Sequence, residues 1–132
     1  MNRILLPIAI VLSLSFLWTQ AFVFAAGEQF VVGLSVVSDA VPPSVPAGLA
    51  ATPVSSSQIN LSWTASTDNV AVGGYVIYRD AAPVGTTTGT SYSDGGLTAS
   101  TLYTYTVEAY DTTLNYSGQS GSASATTDAG GG

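Results

Sequence analysis

Two short polar segments of this 132-residue chain carry oxygen-bearing side chains close together: Asp68 and Asn69 in STDNV, and Asp111 and Asn115 in DTTLN. Carboxylate and amide oxygens suit a hard cation, calcium above all, which takes six to eight oxygen ligands. The same residue types also close Asx-turns and loop hydrogen bonds. That plainer role is the one expected here, with no metal and no cofactor. A second candidate is an aromatic platform of Tyr78 and Tyr110, which strand parity turns away from the core, so that a sugar ring has faces to stack on. Ordinary cross-strand packing, worth about 1 kcal/mol per pair at most, is the competing role.

Other chemistries are poorly supplied. The chain has no Cys and no His, which removes thiol nucleophiles, zinc-thiolate sites and the imidazole base. Its acids are Glu28, Asp39, Asp68, Asp80, Asp94, Glu108, Asp111 and Asp128, and most fall in predicted turns or flanks. Glycoside hydrolysis needs two carboxylates facing across a cleft, and a small sandwich offers none, so no enzymatic activity is expected. Against eight acids stand only Arg3 and Arg79, for a net charge of -6. Phosphate neutralisation needs Lys and Arg, so nucleic acid is excluded as a partner.

Positioning these residues requires a folded unit, and the chain is punctuated to give one. Residues 4–24 form an apolar run behind Met1, Asn2 and Arg3, with Ala25, Ala26 and Gly27 after it. This layout matches a secretory signal peptide over residues 1–26. The run is also long enough for an uncleaved membrane-spanning helix, with Arg3 left on the cytoplasmic side. Under either reading the remainder is exported, to the medium or to the extracytoplasmic cell surface, and the membrane is touched only through residues 4–24. Residues 27–43 show no sustained period and read as a linker, and residues 128–132 as a Gly-rich tail of the kind that often leads into another domain.

Between the flanks, residues 44–127 read as one all-β domain. Ile59, Leu61 and Trp63 alternate with Gln58, Asn60 and Ser62, as a half-buried antiparallel strand requires. Tyr75 and Ile77 repeat the pattern, as do Tyr103, Tyr105, Val107 and Ala109 against an outer face rich in Thr. Weaker strands are predicted at Gly48–Thr52, Val84–Thr87, Ser91–Ser93 and Ser120–Thr127, with Pro53 ending the first. Seven strands at this spacing make a two-sheet sandwich whose core includes Leu49, Ile59, Leu61, Trp63, Tyr75, Ile77, Leu97, Tyr103, Tyr105, Val107 and Ala109.

In order and spacing, PPSVPAGL at the approach to the first strand, Ile59-Asn-Leu-Ser-Trp63, Gly74-Tyr75-Val-Ile-Tyr78-Arg79 and the stretch Leu97 to Ala109 resemble the fibronectin type III domain of bacterial secreted and surface proteins. The resemblance covers Pro42 to Thr127. It implies a seven-stranded immunoglobulin-like sandwich without a disulfide, with Trp63 as a core anchor and the Tyr103 hydroxyl bonded upstream near Leu97. It also implies that the Asp68-Asn69 and Asp111-Asn115 loops emerge at one end, and that Tyr78 and Tyr110 lie on neighbouring strands. Ala99 stands where the family commonly has proline. Asp80-Ala81-Ala82 stands where Gly often follows Asp or Asn, so a different or longer turn is expected, Ala being costly at positive φ. Such modules often accompany polysaccharide-degrading enzymes, and the function implied is that of a monomeric, non-catalytic spacer. The alternative is a binding module that contacts glycan or protein through its tyrosines or loops.

Overall fold

In the computed structural model, the residues described are 38–131. The apolar run and most of the predicted linker therefore lie outside them. Eight strands form two antiparallel sheets: β1 (Ala47–Ser55), β2 (Gln58–Thr64), β3 (Val72–Arg79), β4 (Ala82–Thr87), β5 (Ser91–Gly95), β6 (Leu102–Asp111), β7 (Tyr116–Gln119) and β8 (Ala123–Thr126). One sheet has the order β1-β2-β5. The other runs β4-β3-β6-β7, with β8 also pairing with β6.

Alternation in the sequence becomes two facing apolar surfaces. Ile59, Leu61 and Trp63 of β2 are buried, as are Tyr75 and Ile77 of β3, Tyr105, Val107 and Ala109 of β6, and Ala125 of β8. Across the central ladder Tyr75 pairs with Ala109 and Ile77 with Val107, so inward residues sit side by side. Each fully buried aliphatic side chain contributes about 1.5–3 kcal/mol. The Trp63 ring meets Tyr75 edge-on, with centroids 5.3 Å apart. Leu97 closes the core from the loop before β6, while Leu49 and Tyr103 are only partly buried and pack on its margin. The Tyr103 hydroxyl accepts from the Thr98 amide at 3.0 Å, one residue beyond Leu97.

Three local expectations are corrected. Pro53 does not end β1, which continues to Ser55 with a register irregularity there. β1 is an edge strand, where proline is tolerated. The last strand is shorter than expected and has an unpredicted neighbour: of Ser120–Thr127 only Ala123–Thr126 forms β8, and β7 precedes it, both pairing with β6. In and just after β7, the hydroxyls of Ser117 and Ser120 accept from the Ala109 and Val107 amides at 2.9 and 3.0 Å. Side chains there replace main-chain acceptors, which explains why the segment lacks an apolar alternation.

The third correction concerns the β3–β4 turn. Arg79 pairs with Ala82, leaving the two-residue turn Asp80-Ala81, both at positive φ, 50° and 67°. That is the short hairpin geometry usually built from Asn-Gly or Asp-Gly. Asp80 holds it in place, its amide donating to the Thr104 carbonyl at 2.8 Å and its Oδ1 accepting from the Thr104 amide at 3.0 Å. A cross-strand clamp thus compensates for the missing glycine.

Candidate functional site

One end of the sandwich gathers the β2–β3 loop, the β6–β7 loop and the segment leading into β1. The Ser44 amide donates to the Thr67 carbonyl at 2.8 Å, and the Thr67 amide returns a bond to Ser44 Oγ at 2.9 Å. This fastening brings Asp39 beside Asp68 and Asp111, with one carboxylate oxygen of each within 4.8 Å of the others. Asp39 belongs to the predicted linker, yet its carbonyl accepts from Asn115 Nδ2 at 3.0 Å and Thr113 Oγ1 at 3.3 Å.

Asp39 and Asp68 are each anchored through one oxygen, and Asp111 through both. Asp68 Oδ2 accepts from the Val70 and Ala71 amides, both at 2.9 Å. Asp39 Oδ1 accepts from the Val41 amide at 3.0 Å and Asn69 Nδ2 at 3.1 Å. Asp111 Oδ1 accepts from the amides of Thr113 and Asn115 at 2.8 and 2.9 Å. These are Asx-type bonds, so the expected turn role is visible in the structure. Two second oxygens are left over: Asp39 Oδ2 and Asp68 Oδ1 are closed off from solvent and have no hydrogen-bond partner among the described residues. Asp111 Oδ2 takes a bond from Asn115 Nδ2 at 2.7 Å. Asp111 is wholly buried. Its burial pushes the carboxyl upward, but bonds from Asn115 and Thr113 outweigh that and hold it below its ordinary value. Of the four residues singled out from sequence, Asp68 and Asp111 converge, whereas Asn69 and Asn115 donate amide hydrogens to the neighbouring acids.

The described cation sits elsewhere. Arg79 Nη1 binds both oxygens of Asp94 at 3.0 and 2.9 Å, at the end of β3 away from Val72, which pairs with Asp111. Asp94, one residue past the predicted strand Ser91–Ser93, lies on β5 and is only 5% exposed. The Tyr105 hydroxyl donates to Asp94 Oδ2 at 2.8 Å, so the two sheets are joined through one carboxylate. Burial, then the bond to Asp94, push the Tyr105 phenol far above its ordinary value of 10.0. The Arg79 guanidinium also lies over the Tyr103 ring at 5.5 Å, a cation–π contact.

The tyrosine face differs from the expected platform. Tyr78 pairs with Thr106 and Tyr110 with Gly74, which sets the two residues four positions, roughly 13 Å, apart along the ladder at the usual strand rise. The Tyr78 hydroxyl donates to Glu108 Oε2 at 2.7 Å. Tyr110 lies across β3, where a Cβ on Gly74 would come within 2.6 Å of its hydroxyl. Its aromatic neighbour is Tyr116, at 5.8 Å between centroids, and Tyr116 is 50% exposed. Sequence parity did not reveal Tyr116, because β7 has no legible period.

Two antiparallel sheets around a shared core, with a tyrosine corner and no cysteine, define an immunoglobulin-like β-sandwich. The family model described as "Fibronectin type III domain" matches residues 42–126, and the chain belongs to that family. It is 52% identical over 103 residues to an alpha-amylase of Niallia circulans, a match covering 78% of this chain and 8% of that protein. It is 52% identical over 91 residues to exoglucanase B of Cellulomonas fimi, covering 69% of this chain and 8% of the enzyme. Chitinase Chi52 of Paenibacillus xylanexedens is 47% identical over 95 residues, covering 72% and 18%. Among solved structures, FN3tt superposes with a TM-score of 0.60 at 25% identity, covering 68% of this chain and 99% of that one. An Fn3-like protein from Clostridium thermocellum gives 0.55 at 28% identity, covering 62% and 90%. The matched segment spans 8 to 18% of these enzymes, so the chain corresponds to a non-catalytic module within them and not to their catalytic parts.

Proposed function

We propose that this chain is an exported accessory module that spaces or supports a polysaccharide-degrading activity carried elsewhere. The observation that carries the reading is its likeness, at about half identity, to a small segment of an amylase, an exoglucanase and a chitinase. Three enzymes named for three activities share the segment, which favours a mechanical part over one tuned to a single glycan. Fold alone does not set function, and export rests on the apolar run of residues 4–24.

Direct glycan binding is the second reading, supported by the exposed Tyr116 beside Tyr110. Retention of the full chain on insoluble chitin, cellulose and starch separates the two. A spacer is retained no better than an unrelated β-sandwich. Retention that disappears in a Tyr110→Ser, Tyr116→Ser variant of wild-type stability overturns the spacer reading.

A further inference from the structure

We propose that Asp39, Asp68 and Asp111 form a calcium site at the loop end of the sandwich. Three carboxylates from three separate segments each bring one oxygen within 4.8 Å of the other two. In two residues of this cluster, Asp39 Oδ2 and Asp68 Oδ1 are closed off from water and unpartnered among the described residues. Buried acceptors without a donor are rare and costly in folded proteins, and here both belong to residues of the same acidic cluster. An acidic cluster alone is commonplace. Two orphaned oxygens on its residues call for a cation.

Nothing within the described residues supplies that charge. The cation described, Arg79, is engaged by Asp94 at the other end of β3, and the chain has no Lys and no His. The donor set selects the ion. All available ligands are oxygens, which disfavours zinc and copper. Calcium accepts irregular oxygen cages, whereas magnesium demands near-ideal octahedra and holds its water tightly. Bonds to Asp39 Oδ1, to Asp68 Oδ2 and to both oxygens of Asp111 fix the three carboxylates in place before any ion arrives. Water completes the coordination, placing the affinity in the range of extracellular modules, roughly 10⁻⁴–10⁻³ M.

The site also fastens the segment ahead of β1 to the body of the domain, because Asp39 lies outside the sheets while Asp68 and Asp111 belong to loops between strands. Calcium then stabilises the folded state by mass action. At about 10 mM calcium and a dissociation constant near 1 mM, the ratio of folded to unfolded chain rises roughly tenfold.

The test uses the full chain stripped with EDTA, titrated with calcium chloride by calorimetry, and melted in EDTA, in calcium, in magnesium and in sodium chloride of matched ionic strength. Expected are a saturable calcium heat and a rise in Tm specific to calcium. In Asp39→Asn and Asp68→Asn the dissociation constant weakens at least about tenfold. In EDTA both variants melt at or above the wild-type temperature, since a repelling charge has been removed, and they fall below it in calcium. A merely structural role for these acids predicts loss of stability in both media. The proposal is overturned by absence of a calcium heat, by a Tm rise that sodium chloride reproduces, by equal affinity for magnesium, or by wild-type affinity in both variants.

Discussion

At the level of single residues, the strongest constraint is the carboxylate of Asp94. It lies in SDGG, a string that reads as turn, yet the structure buries it between Arg79 and Tyr105. Sequence shows the residue types there but not the register that brings β5 against the end of β3, so the pair is invisible without the fold. Removing the phenolic oxygen in Tyr105→Phe deprives Asp94 of a donor and lowers stability at neutral pH by about 1–3 kcal/mol. The pH dependence has a definite sign. In the unfolded chain this phenol ionises near its ordinary value of 10.0, whereas in the folded chain it resists ionisation beside Asp94. Its contribution is therefore intact below pH 10 and is lost as the pH climbs above it. Urea melts between neutral pH and pH 11 should show a shallower alkaline decline for the variant than for the wild type. An identical decline would assign the alkaline sensitivity to other groups, such as Tyr78, whose bond to Glu108, with burial, also raises its phenol.

Among the strands, legibility follows burial. β2, β3 and β6 were readable because each lays one face on the core, and alternation at Ile59, Leu61 and Trp63 or at Tyr105, Val107 and Ala109 is the trace of that burial. β7 was not, and β8 was legible only as part of a longer weak strand, since YSGQSGSAS bonds to β6 partly through serine hydroxyls and contributes little apolar surface. The turn at Asp80-Ala81 was misjudged for a different reason: its clamp comes from Thr104, a residue distant in sequence. An Ala at φ 67° remains strained, and the left-handed region costs a side chain roughly 1–2 kcal/mol. Ala81→Gly, after the entropic cost of glycine, should raise stability by about 0.5–1 kcal/mol, measured by chemical denaturation. A destabilised variant would mean that Thr104 already absorbs the strain. The acidic end was half legible: Asp68 and Asp111 could be singled out from their loops, whereas Asp39 lies in a stretch without periodicity that only tertiary hydrogen bonds place.

Taken as a whole molecule, the domain extends further toward the N-terminus than its first strand. Pro43 and Pro46 are buried, and Ser44 is hydrogen-bonded to Thr67. A chain beginning at Ala47 should therefore lose about 2 kcal/mol relative to one beginning at Ser38, for the apolar contact and hydrogen bonds removed. For a domain of this size the thermal midpoint falls by roughly 10 °C. Equal midpoints for the two constructions would show the leading segment to be ornament.

The two ends of the domain leave it in opposite directions. Ser44 is fixed at the end that holds Asp68 and Asp111, whereas Asp128 donates to the Ser55 carbonyl at the far end of β1. Tension on a strung-out chain consequently runs along the strands, across a body about 30 Å long at the usual strand rise. Pulled this way, β1 must slide past β2, and β8 past β6, so the bonds of each ladder bear the load together and cannot open one at a time like a zipper. The domain resists stretching as a lap joint does.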